Sequence, residues 1–238
     1  MIHVTKYNGL YSLCVNARKV SIIDRFRISQ YSSYLGKHPV WGMKRDIKNT
    51  ILIDLSRTKD DILSSFKSNT RNEVRKAQTR GIQSREITDI KAFIEFYNEF
   101  AREKNLSSIS ALDLKKYNKV LIYEAYLDEG KPLVMHASLI DESEKRALLL
   151  FSASVRLAEG IDRKVVGLAN RLLHFDEFVT FSEMGLSIYD FSGVCNDPND
   201  PRYTIGLFKK SFGGQEIESI YLKSFLFVLI SKFITHKE

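Results

Sequence analysis

YDFSGVCNDPNDPRYTIGLFKKSFGG, Tyr189–Gly214, decides how this chain is read. It joins a short buried-type strand to a basic, glycine-ended segment through a polar loop. Aspartate at the end of an apolar strand is either a site carboxylate or the cap of the loop that follows, so Asp190 carries both readings. A second stretch belongs with it: TRNEVRKAQTRGI, residues 70–82, a basic segment at helical spacing.

Outward from these, the periodicity defines an α+β order. NTILIDLS at 49–56 has the β-branched and leucine content of a strand. Thr58-x-x-Asp61 then starts a capped helix on which Ile62, Phe66, Thr70 and Val74 recur every four residues beside a basic stripe of Lys67, Arg71 and Arg75. ITDIKAFIEFYNEFAREKN, 87–105, puts Ile90, Phe93, Ile94, Tyr97 and Phe100 on one face of a second helix, and ALDLKKYNKV reads as a shorter third. Residues 120–157 supply three apolar alternating segments parted by Asp128-Glu129-Gly130 and by the charged run 141–145, an antiparallel meander. GLANRLLHFDEFVTFSEMG, 167–185, is helical and stops at Gly185, before the strand LSIYDF. Residues 1–49 read as an N-terminal strand with acceptor-side loops. Residues 218–238 read as a final strand and amphipathic helix carrying Lys223, Lys232 and Lys237. That helix suits a membrane surface or core packing equally.

Composition narrows the class. The 238 residues, 44% hydrophobic and 11% aromatic, suffice for one well-cored domain spanning 1–238. A net charge of +7 favours an anionic partner: a nucleotide pyrophosphate, tRNA, an anionic glycan or a membrane surface. Two distant cysteines, Cys14 and Cys195, argue against a disulfide framework or a zinc site and for a reducing cytoplasm. The N-terminus lacks a charged region followed by a long apolar core, and no run reaches the ~18 apolar residues of a spanning helix. No G-x-S-x-G context, zinc spacing or Walker A loop is present, which leaves direct, metal-free transfer as the simplest chemistry.

Both quoted stretches resemble the Fem-type aminoacyl transferases, which make peptidoglycan cross-bridges, and their single-domain relatives among the GNAT acyltransferases. The matching positions are Arg71, Val74, Arg75, Lys76, Ala77, Gly81 and Ile82; Tyr189, Asp190, Phe191 and Gly193; and Phe208, Lys209, Phe212 and Gly213. The resemblance implies a GNAT fold, a central mixed and largely antiparallel sheet flanked by helices, and acyl transfer to an amine of a cell-envelope glycan precursor. It implies that Lys209 donates to the tetrahedral oxyanion, a role that contributes about 3–4 kcal/mol at such sites; the alternative is a solvated lysine of a basic turn, beside Lys210. Asp190 would then orient the acceptor amine or Lys209, and Tyr203 would protonate a leaving thiolate or simply pack. Phe208, Arg71, Arg75 and Lys76 fall on the substrate side, the cations against phosphates of a nucleotide- or lipid-linked acceptor or else on a solvated helix face.

Lys164-Val165-Val166-Gly167-Leu168-Ala169, with Asn170 next, falls where GNAT enzymes hold the donor's pyrophosphate on helix N-terminal amides, and this makes acyl-coenzyme A (acyl-CoA) the leading donor. Aminoacyl-tRNA is the runner-up, favoured by the Phe208-Lys209 pair and the basic balance. An acceptor α-amino group with a pKa of about 8 benefits from a base. His136, mid-strand in VMHASL, is a candidate base or a satisfied core histidine, and Glu124 a weaker one. A non-catalytic GNAT-fold protein that binds nucleic acid through the basic helix is the competing class; against it, no aromatic platform accompanies the cations.

Overall fold

The computed structural model describes residues 2–6, 10–128, 130–158 and 160–235. Glu129 of the expected turn and Lys237 of the expected C-terminal helix lie outside them. In chain order the elements are β1 (Ile2–Lys6), β2 (Tyr11–Val15), a 3-10 turn (Ile23–Arg25), β3 (Ile28–Tyr34), β4 (Met43–Asp54), α1 (Lys59–Ser65), α2 (Ser68–Thr79), β5 (Gln83–Ile87), α3 (Ile90–Glu103), α4 (Ala111–Lys115), β6 (Val120–Tyr126), β7 (Pro132–Asp141), β8 (Arg146–Ser154), α5 (Arg163–Glu183), β9 (Ile188–Val194), α6 (Tyr203–Lys210), β10 (Gln215–Ser224) and α7 (Phe225–Thr235). They form two compact units, residues 51–216 and residues 1–50 with 217–238, where the sequence reading takes one domain.

The larger unit orders its strands β4-β9-β8-β7-β6-β5, with β4 contributing its last residues. From β5 to β8 every pairing is antiparallel, as the meander predicts, whereas β9 joins β8 in parallel. Alternation along the strands separates two faces. Tyr123 and Val134 pack with α1, α2 and α5 on one, and Ile122, Met135 and Ala137 pack with α3 and α4 on the other. The fold class is therefore the mixed α/β arrangement that the sequence pattern indicates.

One long helix was expected from Thr58 through Val74, and the chain instead breaks it. Thr58 does cap α1, accepting from the Asp61 N–H at 3.2 Å. Phe66 and Lys67 then turn extended, with ψ of 151° and 146°, before α2 begins. Arg71 reaches back to the carbonyls of Ser64 and Phe66 at 2.7 and 2.5 Å, satisfying acceptors that the end of α1 leaves open. The break lets Phe66 insert between Phe175, Phe178 and Phe212 at ring separations of 5.9, 6.1 and 5.0 Å. The four-residue recurrence still marks burial correctly, since Ile62, Phe66, Thr70 and Val74 are all buried.

The smaller unit holds more strand than the single strand and loops expected for residues 1–49. Its order is β1-β2-β3-β10-β4. β1–β2 and β3–β10 run antiparallel and β2–β3 parallel, around Cys14, Ala17, Tyr31, Tyr34, Met43 and Leu222. The C-terminal segment forms β10 and then α7, whose Phe225, Leu226 and Leu229 face outward. No helix of the described residues is long and apolar enough to cross a membrane.

Gly213, next to last in the decisive stretch, has φ +74°, and a Cβ there would overlap the Ser65 carbonyl oxygen. Gly81 has nearly the same φ, +75°, with nothing nearby. Gly81→Ala is expected to cost about 1 kcal/mol from the left-handed backbone alone, and Gly213→Ala at least about 2 kcal/mol more from the added overlap. Urea denaturation of the two variants measures the difference.

Candidate functional site

The site forms where β9 parts from β8. Their pairing ends at Leu148↔Asp190, after which Ser192 takes a left-handed φ of +61°. Its N–H donates to Asp190 Oδ1 at 2.8 Å and its hydroxyl to the Leu149 carbonyl at 2.7 Å. Phe191 and Gly193 flank Ser192 on β9, and their carbonyls meet α6. Lys209 Nζ donates to both, at 2.8 Å each. An ammonium has three N–H donors, so one remains for a ligand.

Helix α6 brings Lys209 there. Gly206 makes the approach possible, because a Cβ at that position would lie 2.6 Å from the Cys195 carbonyl oxygen. Burial pulls the Lys209 pKa down to about 8, against the opposing charge of Asp190. Asp190 itself is buried, capping Ser192 and standing 3.9 Å from the Arg146 guanidinium. Of its two sequence readings, the loop cap is formed, and its charge also acts on Lys209.

Phe208 and Arg171 complete this corner. The Arg171 guanidinium lies 5.0 Å from the Phe208 ring centre, donates to the Gly167 carbonyl at 3.0 Å and pairs with Glu73 of α2 at 2.5 Å. Burial lowers its pKa. The sequence reading missed Arg171; its only signal is a cation inside the otherwise apolar run LANRLLHF.

His136 faces no open cleft. It is wholly buried, its Nδ1 2.8 Å from Glu177 Oε2 and its Nε2 3.1 Å from Asn170 Oδ1, and it stacks on His174 at 4.2 Å. The core reading of His136 is thus the observed one, and Asn170 serves the same network rather than a donor loop. Burial and His136 beside it press the His174 pKa down to about 3. Burial pushes the Glu177 carboxyl up, but the two histidines outweigh it and leave the pKa lowered. Ligand atoms of His136, His174 and Glu177 lie within 4.8 Å of one another, and these residue types can hold a metal ion.

Other expectations change place. Lys164–Ala169 is no loop but the first turns of α5, with Asp162 accepting the Lys164 N–H at 2.8 Å and the Leu168 and Ala169 side chains buried in the core. Tyr203 lies not in a loop but at the start of α6. Its helical neighbours at three, four and seven residues are Gly206, Leu207 and Lys210, so it does not share a face with Lys209. Glu124 is tied to Arg85 at 2.7 Å. Arg71 is occupied with the end of α1, while Arg75 and Lys76 are exposed on α2. Arg71 and Arg75 line a surface depression with Asp60, Leu63 and Ser64, which shares no residue with the Lys209 corner.

The chain matches the crystal structure of FemX with a TM-score of 0.69 at 14% identity, over 98% of this chain and 86% of that one. The fold is that of FemX. The C-terminal domain of a putative lysylphosphatidylglycerol synthetase from Agrobacterium fabrum matches at TM-score 0.61 and 10% identity, over 93% and 80% of the two chains. L-PGS from Bacillus licheniformis matches at 0.57 and 9%, over 94% and 80%. No protein-family model and no curated protein sequence matches the chain. The FemX-type fold thus accords with what the two sequence stretches imply.

A pH test isolates the buried histidine. His174 is held near 3 when folded against an ordinary 6.5. A lowered folded value means stability present above pH 6.5 and lost as pH falls toward 3, with a slope of at most about 1.4 kcal/mol per pH unit. His174→Phe is expected to flatten that loss in urea titrations at pH 6.5, 5.5 and 4.5.

Proposed function

We propose that this protein is an acyltransferase of the Fem type, moving an aminoacyl or acyl group to an amine of a cell-envelope glycan precursor. The observation that carries the reading is Lys209: the residue singled out by the Phe208-Lys209 motif is anchored on the β9 carbonyls of Phe191 and Gly193, with one N–H left over. A half-buried ammonium held on two carbonyls is a preset oxyanion donor, because it needs little reorganisation when charge develops.

The step is direct. The acceptor nitrogen attacks the donor's carbonyl carbon, a C–N bond forms, and the carbonyl π electrons move to oxygen, where the Lys209 N–H meets them. Collapse breaks the bond to the leaving oxygen or sulfur, which takes a proton, and the new amide nitrogen gives one up to water. Asp190 supports Lys209 by keeping the amine charged. No side chain of the core cluster at His136 reaches this step as base.

For the donor, aminoacyl-tRNA is the better fit. Asp162 places its carboxylate on the α5 N-terminus, the position a pyrophosphate would need, and Gly167 lies within the helix. Exposed Arg75 and Lys76 provide cations for a phosphate backbone. Acyl-CoA is the second reading, favoured by the size of the chain. Titration calorimetry separates them: tRNA affinity should fall steeply with salt, by orders of magnitude between about 50 and 200 mM, whereas saturable binding of acetyl-CoA and longer acyl-CoA would favour the thioester.

Activity then depends on the Lys209 charge. Lys209→Ala should lower the rate about 100- to 1,000-fold with the fold intact. The wild-type rate should fall as pH rises through about 8, where the ammonium is lost. Asp190 raises that pKa, so Asp190→Asn should move the basic limb to lower pH; a limb that stays in place contradicts the assigned role. Unchanged activity in Lys209→Ala would contradict the oxyanion role, and activity lost with the fold intact would count against the non-catalytic binding reading.

A further inference from the structure

The 3-10 turn of the smaller unit is built inside out. Its one acid, Asp24, is buried, while Ile22, Ile23 and Phe26 on either side are 70%, 56% and 66% exposed. Three side chains hold it so. Tyr31 Oη donates to Asp24 Oδ2 at 2.6 Å and Ser12 Oγ to the same oxygen at 3.2 Å, while Ser29 Oγ donates to the Asp24 carbonyl at 2.5 Å. The Ser21 N–H adds a bond to Tyr31 Oη at 3.2 Å, fixing the entry to the turn. Folding this way exposes about three large apolar side chains to water, a cost of roughly 1.5–3 kcal/mol each if they stay wet.

Trp41 joins them. It is 74% exposed and its ring meets Phe26 edge-on at 6.3 Å. Arg25 packs against the adjacent Gly42, where a Cβ would touch the Arg25 Cβ at 3.4 Å, so the turn and the Trp41 loop are neighbours. The surrounding segment, residues 17–46, holds seven lysines and arginines against two acids. One of those acids is the buried Asp24, and the other, Asp46, is paired with Lys223 at 3.1 Å and with Lys44 of the segment at 3.6 Å. Arg18, Lys19, Arg27, Lys37, Lys44 and Arg45 are exposed.

We propose that Ile22, Ile23, Phe26 and Trp41 form a wedge that inserts into the headgroup boundary of an anionic lipid bilayer, with the basic side chains of residues 17–46 on the lipid phosphates. Apolar residues with a tryptophan among excess cations suit that boundary, since the rings and aliphatics leave water while the cations meet negative charge. A neutral protein partner would explain the apolar residues but not the excess of cations around them. The wedge is independent of the acyl-transfer reading, because it uses no residue of the Lys209 corner.

Trp41 is the only tryptophan of the chain, so its fluorescence reports the wedge directly. The full-length protein is titrated with vesicles of phosphatidylglycerol and, separately, of phosphatidylcholine. The wedge predicts a blue shift of the emission and co-sedimentation with phosphatidylglycerol, weak response to phosphatidylcholine, and reversal in about 0.5 M salt. Ile22→Ser with Phe26→Ser should keep the far-ultraviolet spectrum and unfolding midpoint and weaken vesicle partition about tenfold or more. Trp41 emission that stays at the solvent-exposed wavelength, with protein left in the supernatant, overturns the proposal. So does a blue shift that follows protein concentration without lipid and coincides with dimer in sedimentation, which would assign the patch to a second copy.

Discussion

The arrangement turns on one contact, the Lys209 ammonium on the carbonyls of Phe191 and Gly193. The parallel pairing of β9 with β8 stops after three residues, and the carbonyls of Phe191 and Gly193 just beyond it take side-chain donors. A lysine supplies them and places a positive charge at the end of β9. The same requirement explains the surrounding glycines and the strained serine. Gly206 lets α6 close on the end of β9, and Ser192 turns β9 away from β8 while still bonded to it. Structural need and chemical use thus fall on one residue.

Around it the unit is tightly packed by aromatic side chains. Phe178 meets Phe66, Phe191 and Phe212 edge to face, and His174 contacts Phe191 and Phe212 at 4.9 and 5.2 Å. That packing keeps His174 neutral and pins α5, whose Arg171 then leans over Phe208 toward the opening. Rigidity of this kind is what a preset donor needs, since its advantage comes from not moving when charge develops.

Much of this was legible in the sequence, and the reasons differ by element. The meander from β6 to β8 was readable because strand alternation and charged turns are local signals. So was the Tyr189–Gly214 stretch, whose glycines and lysine stand where the backbone demands them. The break at Phe66 was not readable, because the four-residue recurrence continues straight through it; only the tertiary slot for the Phe66 ring reveals it. Lys164–Ala169 satisfies a loop pattern yet lies in a helix, since Asp162 caps the chain just before it. His136 finds Glu177 and Asn170 on a distant helix, a partnership spacing alone does not announce. The inverted turn at Asp24 was equally silent, for its apolar run reads like any buried segment until the hydrogen bonds of Tyr31 and Ser12 show which side faces in.

The central claim is that Lys209 is a half-buried, anchored ammonium of lowered basicity, and its own titration tests that most directly. With lysine labelled with carbon-13 at Cε, and Lys209→Arg used to assign the signal, nuclear magnetic resonance across the alkaline range follows the amine. The structure predicts a midpoint near 8, well below the ordinary 10.5. A midpoint at the ordinary lysine value would mean a solvated side chain on a basic turn, and would contradict the account.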